Sequence, residues 1–426
     1  MNYKQLKDEI KKGKYDEQLK ALYIEDKKVL LQRERYAKAI DTFTSLYEEK
    51  DIQIYSAPGR SEVGGNHTDH QHGKVLAAAV NLDAIAVVAP TNNHIIKILS
   101  DKWNLAPIHT DDLDIKDEEI GTSEALVRGI CARLKEEGYH IGGFHAFITS
   151  DVLLGAGLSS SACFEVLIGT ILSGLYNEGK IDSVSIAKIG QYAENVYFKK
   201  PCGLMDQCAS SVGGLIGIDF KDTKNPVVKQ IEIDFESFEH SLCIVDTKGN
   251  HADLTDDYAA IPMEMKKVAA YFHKDVLREV DEKEFFSNID KVRTECGDRS
   301  VLRALHFFQE EHRVDEEIQA LETNNFADFK KIVSASGKSS FLYLQNVYSN
   351  ADVQNQSVSV GLALSESILK NHGVCRVHGG GFAGTIQAFV ENDFVAQYKK
   401  EMESIFGEGS CYVFHIRKYG GVQVFA

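Results

Sequence analysis

The stretch Gly155-Ala-Gly-Leu-Ser-Ser-Ser161-Ala162 lies between a predicted β-strand, GGFHAFITSDV (142–152), and an apolar run that predicts a helix. Its two glycines allow the backbone to approach a ligand, and the start of the helix offers unpaired N–H groups and partial positive charge. Three consecutive hydroxyls add donors or a metal ligand. The stretch therefore predicts a phosphate-binding turn, although on its own it is also typical of an ordinary capped helix start.

Two better-known phosphate motifs are close to this sequence but are not matched. The dinucleotide fingerprint G-x-G-x-x-G requires glycine where Ser160 stands, together with an early βαβ unit, which is absent. A Walker loop requires serine or threonine after Gly-Lys, whereas Gly73-Lys74 is followed by Val75. The turn is thus of another kind.

Composition limits the class of protein. The chain has 426 residues, 43% of them hydrophobic, with 47 basic and 63 acidic side chains and a formal net charge of −16. At roughly 100 to 200 residues per domain this length predicts two or three domains. An acidic chain lacks the broad basic face that a nucleic-acid backbone requires, so we expect no nucleic-acid partner.

Localisation is predicted from three features. No run of about 18 uncharged apolar residues occurs, and the N-terminus MNYKQLKDEIKKGKYDE is a charged amphipathic helix without the apolar core of a signal peptide. The eight cysteines are dispersed, with no metal-ligand spacing, and are typical of free thiols in a reducing compartment. We expect a cytoplasmic protein that does not bind membranes.

The order of predicted elements indicates the fold class. Helices are expected over 1–50 with a break at Gly13, followed by strands and helices that do not alternate strictly, which favours an α+β fold. The charged stretch KDTKNPVVKQ (221–230) is the best candidate for a boundary. We therefore expect an N-terminal lobe over 1–225 and a C-terminal lobe over 235–426.

A second polar segment connects two apolar strands. It reads Ala57-Pro58-Gly59-Arg60, then Asn66-His67-Thr68-Asp69-His70-Gln71-His72-Gly73. Its histidines and aspartate resemble part of the H-x-H-x-D-H metal motif of metallo-β-lactamase-like hydrolases, but the first histidine of that motif would fall on Gly65, so the ligand set is incomplete. The remaining local interpretation is a solvated hairpin loop.

A third segment, Pro201-Cys-Gly-Leu-Met-Asp206-Gln207, follows Glu194 by twelve residues. A carboxylate at the start of a helix suits a fixed acid or base, and equally suits simple stabilisation of the helix dipole. A glycine-rich turn, Gly379-Gly-Gly-Phe-Ala-Gly384, lies near the C-terminus.

Taken in order along the chain, these segments resemble the GHMP small-molecule kinases and, within them, the galactokinase family. Arg60 and His67-Thr68-Asp69 fit the first signature of that family, Gly155–Ala162 the phosphate loop, and 201–207 the segment of the catalytic aspartate. Asp246-Thr247 with Asp257-Tyr258 fits a sugar-contacting segment, and a further family helix spans 303–314.

The resemblance implies a two-lobed GHMP kinase fold with the active site in the cleft, ATP and Mg²⁺ as cofactors, and phosphorylation of D-galactose at its anomeric hydroxyl. It implies that Asp206 is the base and Arg60 its partner, and that Ser161 and Glu194 bind Mg²⁺. The implied ATP phosphate contacts are Gly155, Ala156, Gly157, Leu158, Ser159, Ser160 and Ser161, and the implied sugar contacts are Asn66, His67, Asp69, Gly203 and Tyr258.

The sequence departs from the family pattern around the sugar pocket. Asn66 replaces the usual glutamate, which removes a negative charge, so galacturonate or another altered hexose is an alternative substrate. His70 replaces a tyrosine, Glu62 an asparagine, Gly64 an aliphatic residue and His378 a threonine. A second alternative is a non-catalytic sugar sensor of galactokinase type, but such sensors have damaged phosphate loops and this loop is intact.

Overall fold

The computed structural model describes residues 1–101, 103–152, 158–249 and 254–425. Within these ranges helices surround two β-sheets, so the α+β class is confirmed. The strands are β1 (Gln53–Gly64), β2 (Lys74–Pro90), β3 (Ile95–Ser100), β4 (Ile108–His109), β5 (Phe144–Ser150), β6 (Leu215–Asp219), β7 (Val227–Ile231), β8 (His240–Asp246), β9 (Gly373–Val377), β10 (Thr385–Glu391), β11 (Cys411–Phe414) and β12 (Val422–Gln423).

In the described part of the chain, three helices precede β1, as the sequence predicts for the N-terminal region. Among the described residues, four more come between strands of the first sheet, six lie between β8 and β9, and one lies between β10 and β11. They are α1 (Tyr3–Lys11), α2 (Asp16–Tyr23), α3 (Asp26–Leu46), α4 (Ser123–Glu136), α5 (Ser160–Tyr176), α6 (Ser183–Tyr192), α7 (Met205–Val212), α8 (Thr255–Tyr271), α9 (Glu282–Ser287), α10 (Ile289–Cys296), α11 (Asp298–Glu322), α12 (Phe326–Ser339), α13 (Ser357–Leu369) and α14 (Val395–Phe406).

The first sheet has eight strands, with the path β12-β1-β2-β5-β3-β4 and with β6 and β7 continuing from β2. The long hairpin of β1 and β2 is its centre, and the 65–73 loop joins these two strands. The second sheet has four strands in the order β11-β8-β10-β9, all antiparallel. The glycine turn 378–384 therefore connects the adjacent strands β9 and β10.

Alternating side chains bury both faces of the first sheet. Tyr55 and Ala86 contribute to the core beneath α4 and α5, whereas Ile54 and Ile85, one residue away on the same strands, pack against α1–α3. Because successive strand residues point to opposite faces, this continuous apolar sequence requires a helical layer on each side. The break at Gly13, predicted from the sequence, separates α1 from α2 and has a φ of 78°.

Two segments that the sequence analysis places outside the N-terminal lobe belong to the first sheet. Strand β7, within the stretch expected to be a boundary, pairs antiparallel with β6. Near the C-terminus, β12 pairs with β1 through Ser56 and Val422. The division into lobes at 225–235 stays a prediction, but a simple cut there would separate paired strands.

No helix in the described ranges is both long and apolar enough to cross a membrane. All eight cysteines are free thiols, and all except Cys202 are buried.

Candidate active site

An arginine–carboxylate pair occupies the centre of the candidate site. Arg60 lies on β1, and Asp206 lies in the first turn of α7. Arg60 Nε donates to Asp206 Oδ1 at 2.7 Å and Nη2 donates to Oδ2 at 2.8 Å, so the contact is bidentate. Burial favours the neutral form of the acid, but Arg60 and the hydroxyl of Ser159 hold the pKa of Asp206 below its usual value. The carboxylate is therefore ionised at neutral pH.

Ser159, the residue directly before α5, connects the predicted phosphate loop to Asp206. Ser159 donates from Oγ to Asp206 Oδ2 and adopts a left-handed backbone conformation with a φ of 53°. The carbonyl of Leu158 accepts from the backbone N–H of Arg60 at 3.2 Å. The described end of the predicted phosphate loop is thus fixed against the Arg60–Asp206 pair.

Four of the predicted phosphate contacts, Leu158, Ser159, Ser160 and Ser161, lie at this helix start. Ser160 and Ser161 form the first turn of α5, where backbone N–H groups have no partner within the helix and can receive an anion. The other three, Gly155, Ala156 and Gly157, lie outside the described residues.

The two predicted metal ligands are neighbours. Ser161 Oγ donates to Glu194 Oε1 at 3.4 Å, and Lys200 Nζ lies 2.9 Å from the same oxygen. Glu194 stands in a π-helical turn, Ala193–Tyr197, a rare irregularity that often marks functional positions. A hydroxyl and a carboxylate oxygen are hard ligands that fit Mg²⁺, which takes few protein ligands and otherwise binds water and phosphate. The described residues contain no group of three or more His, Cys, Asp or Glu arranged to hold a metal.

Gln207, next to Asp206, joins Glu194 to a second buried acid that the sequence analysis missed. Its Nε2 donates to Glu165 Oε2 at 2.9 Å and to Glu194 Oε2 at 3.0 Å. Burial, with the nearby charge of Glu194, raises the pKa of Glu165 well above the usual value. Glu165 is one helical turn beyond Ser161, and this spacing was the available signal.

The predicted sugar-binding side chains gather from three parts of the chain. His67 has a φ of 61°, and its Nε2 lies 3.0 Å from the carbonyl oxygen of Gly380. A Cβ atom added to Gly203 would stand 3.0 Å from Asp69 Oδ2, so the 65–73 loop and the segment before α7 approach closely. Tyr258, in the first turn of α8, donates to the carbonyl of Gly381 at 2.9 Å. His67 and Tyr258 therefore contact the glycine turn, and Asp69 lies beside Gly203.

The structure corrects the expectation for Asn66. Its side chain is fully buried: Nδ2 donates to Glu62 Oε1 at 2.9 Å and to the Gly379 carbonyl at 2.8 Å. Its Oδ1 accepts from Ser340 Oγ at 3.2 Å and Asn346 Nδ2 at 2.9 Å. An amide has two donors and two acceptor positions, so none remains for a sugar. Asn66 fastens the loop to the glycine turn instead.

A buried ionic contact that the sequence did not predict supports the same region. Arg376 on β9 donates from Nη2 to Glu62 Oε1 at 3.0 Å and from Nη1 to the carbonyl of Val63 at 2.8 Å. Burial raises the pKa of Glu62 to about 7, against the opposing effect of Arg376. His378 Nε2 lies 3.1 Å from Ser61 Oγ. Two of the departures from the family pattern, Glu62 and His378, therefore connect β1 to the second sheet.

Two family models match the chain. The galactokinase galactose-binding signature matches residues 41–90, and the GHMP kinases N terminal domain matches residues 125–214. The chain is 28% identical over 368 residues to a galactokinase of Streptomyces coelicolor, covering 86% of this chain and 92% of that protein. It is 29% identical over 353 residues to a galactokinase of Glaesserella parasuis, covering 82% and 88% respectively.

Solved structures share the fold. The crystal structure of Lactococcus lactis galactokinase complexed with galactose superposes with a TM-score of 0.74 at 24% identity, covering 90% of this chain and 98% of that chain. The mevalonate kinase of Methanococcus jannaschii superposes with a TM-score of 0.60 at 17% identity, covering 86% and 98%. The chain therefore has the fold of the GHMP kinases, and residues 125–214 match the N-terminal domain model of that superfamily. Within that superfamily it is similar to the galactokinases, on which the signature match and the curated relatives agree.

Proposed function

We propose that this chain is a sugar kinase that transfers the γ-phosphoryl group of ATP to the anomeric hydroxyl of D-galactose. The observation that carries the proposal is the position of Asp206, which Arg60 holds by a bidentate contact and to which Ser159, just before α5, donates a hydrogen bond. Gly203, three residues before Asp206, approaches Asp69 of the loop that also carries His67. A base, a phosphate-binding helix start and a polar sugar loop are the parts that this transfer requires.

In the proposed reaction Asp206 accepts the proton of the anomeric hydroxyl as that oxygen bonds to the γ-phosphorus and the bond to ADP breaks. Arg60 keeps the carboxylate ionised and places positive charge beside the transferring group. The products are galactose 1-phosphate and ADP.

His67, Asp69, Gly203 and Tyr258 are proposed to bind the sugar. Burial lowers the pKa of His67, so the imidazole is neutral and can either donate or accept. Asp69 adds an acceptor with its side chain 18% exposed. The exposed backbone at Gly203 leaves room beside that carboxylate.

ATP is the co-substrate that the kinase family implies, and we propose that its phosphates lie at the loop formed by 155–161. Mg²⁺ would be held by Ser161 and Glu194, where it would neutralise phosphate charge. Lys200, which now pairs with Glu194, would be displaced from that oxygen or would share it.

The two alternatives have less support. The case for galacturonate rested on Asn66, whose side chain is engaged entirely within the protein. A non-catalytic sensor does not require the paired Asp206 and Arg60 or the adjacent Ser161 and Glu194, all of which are in place. The cytoplasmic location, and the absence of nucleic-acid and membrane partners, remain predictions.

The deciding experiment measures ADP release with purified protein over a panel of galactose, galacturonate, glucose and N-acetylgalactosamine. We expect kcat/KM for galactose to exceed the others by at least about tenfold, since a missing or misplaced polar contact costs more than about 1.4 kcal/mol. A preference for galacturonate would favour the first alternative. Nucleotide and galactose binding without ADP release would favour the sensor.

A further inference from the structure

Arg35 of α3 reaches from the N-terminal helices to the strand that leads into the predicted phosphate loop. Its Nη1 donates to Asp83 Oδ1 at 2.7 Å, and its Nη2 donates to the Asp83 carbonyl at 2.9 Å and to the Thr149 carbonyl at 3.0 Å. Nη1 also lies 3.0 Å from Asp151 Oδ2. One guanidinium therefore joins α3, β2 and the end of β5.

The acceptors on β5 lie next to the loop. Strand β5 ends at Ser150, Asp151 donates its backbone N–H to the Asp83 carbonyl at 3.0 Å, and Val152 follows. A Cβ atom added to Gly59 would stand 3.2 Å from Val152 Cγ1 and 3.1 Å from the Leu158 carbonyl. The segments on both sides of the loop therefore meet beside Gly59, directly before Arg60.

The contacts of Asp83 indicate that Arg35 does more than neutralise a buried acid. Asp83 also accepts from Tyr23 Oη at 2.7 Å and Arg417 Nη1 at 2.9 Å, so its carboxylate keeps a fully buried cationic partner without Arg35. Asp151, whose side chain is 43% exposed, has Arg35 as its ion-pair partner. The contribution particular to Arg35 is thus the fixation of the β5 end.

We propose that Arg35 is a positioning residue for the ATP site. By holding Thr149 and Asp151, it fixes the neighbouring Val152 against Gly59, where Leu158 also packs, and therefore fixes the start of α5 beside Arg60 and Asp206. Arg35 precedes the first residue matched by either family model. The inference rests on the proposed function in one respect, that the phosphates of ATP bind at the start of α5, beside Ser159, Ser160 and Ser161.

The test compares Arg35→Gln and Asp151→Asn with the wild type. We expect each variant to raise KM for ATP by roughly five- to tenfold, because small displacements of a binding group weaken binding and transfer. KM for galactose should stay within about twofold, because the sugar contacts lie on other segments. Arg35→Lys, which keeps the charge and can reach only some of the acceptors, should restore part of the affinity for ATP.

A matched control is Arg33→Gln. Arg33 lies on the same helix and donates from Nε to Asp16 Oδ1 at 2.6 Å, a contact confined to the N-terminal helices. If loss of an arginine acts only by loosening this layer, Arg33→Gln and Arg35→Gln should change KM for ATP equally. A merely destabilised variant would lower the active fraction, and hence kcat, without changing KM.

Equilibrium binding of a non-hydrolysable ATP analogue separates this inference from the proposed function. A fivefold or larger rise in Kd in both Arg35→Gln and Asp151→Asn, with no rise in Arg33→Gln, supports the inference even if galactose is not the substrate. Unchanged Kd in Asp151→Asn overturns it, whether or not Arg35→Gln folds. Absence of galactose turnover in the wild type would instead contradict the proposed function.

Discussion

Arg60 holds both carboxylate oxygens of Asp206, at 2.7 and 2.8 Å, although 146 residues separate the two in the chain. The pair joins the central strand of the first sheet to the first turn of α7. A bidentate contact fixes the orientation of the carboxylate as well as its charge. A further hydrogen bond, from Ser159, brings in the start of α5. Three elements therefore converge on one acid.

Replacement of that acid is the first prediction. Asp206→Asn removes the proton acceptor and keeps the shape, so kcat should fall by roughly 10²- to 10⁴-fold. Galactose binding, measured by calorimetry, should persist. The matched control is Asp222→Asn in an exposed loop, where the acceptor oxygen is retained. A kcat for Asp206→Asn near the wild-type value would remove Asp206 from the mechanism.

The second prediction concerns the proposed metal ligands. Ser161→Ala and Glu194→Gln should each raise the Mg²⁺ concentration for half-maximal turnover by about tenfold or more, and excess Mg²⁺ should partly restore the rate. Calorimetry of Mg²⁺ binding to the nucleotide complex gives a second readout. Glu178→Gln is the control, because Glu178 is 78% exposed and pairs with Lys180. Unchanged Mg²⁺ dependence in both site variants would refute the assignment.

The third prediction uses the close approach at Gly203. Gly203→Ala places a methyl group 3.0 Å from Asp69 Oδ2, so the carboxylate must move by a few tenths of an ångström. We expect KM for galactose to rise about three- to tenfold while KM for ATP stays constant. Ser404→Ala, at an exposed position of α14, controls for a general effect of an alanine substitution. Equal changes in the two Michaelis constants would argue against a sugar contact here.

The fourth prediction concerns the dependence of stability on pH. The pKa of Glu62 is raised to about 7 in the folded state, above its value in the unfolded chain. The folded state therefore holds the proton of the Glu62 carboxyl group more strongly than the unfolded chain does. This contribution to the free energy of unfolding is lost as pH rises from about 4.5 through 7. Glu62→Gln removes this loss. The variant should gain on the order of 2–3 kcal/mol relative to the wild type between pH 5 and pH 8.

Thermal unfolding at pH 5, 6, 7 and 8 measures this difference. The glutamine oxygen can still accept from Asn66 and Arg376, so the two proteins should differ least at pH 5. Glu322→Gln, at a half-exposed ion pair with Lys229, is the control. A constant difference between wild type and Glu62→Gln across the range would contradict a raised pKa.

The sequence predicted the elements whose signals are local. The break at Gly13, the hairpin strands and the helix after the serine run follow from turn residues and apolar periodicity, and all lie where expected. Strand β7 was missed because its sequence, VVKQI, follows an Asn-Pro pair and contains Lys229 and Gln230. Such a sequence is also typical of a surface loop. Its pairing with β6 supplies the stability that its own sequence lacks.

In the candidate site, too, contacts between residues far apart in the chain could not be predicted from local sequence. The grouping of Arg60 with Asp206 came from family resemblance, since no spacing rule relates residues so distant. Asn66 was misplaced because its partners Ser340, Asn346 and Gly379 come from far along the chain and leave no local pattern. Polarity in a loop is equally compatible with a ligand and with a buried hydrogen-bond network, and only the fold distinguishes the two.

Asn66 provides the last prediction. Asn66→Glu restores the residue usual in the family pattern, yet here it replaces two donors by acceptors that face Glu62 Oε1 and the Gly379 carbonyl. Unmet buried acceptors cost about 1–3 kcal/mol, and repulsion from Glu62 adds to that cost at alkaline pH. We expect a lower midpoint of thermal unfolding, with the ratio of kcat/KM for galactose to that for galacturonate changed by less than about twofold.

Asn225→Glu, in an exposed loop, shows what an added carboxylate does elsewhere in this acidic protein. If Asn66→Glu unfolds at the wild-type temperature and shifts the galactose to galacturonate ratio by tenfold or more, its side chain faces the sugar and the buried arrangement is wrong. If the midpoint falls and the ratio holds, Asn66 fixes the loop that carries His67 and Asp69. In that case the sugar preference is set by the other proposed contacts, His67, Asp69, Gly203 and Tyr258.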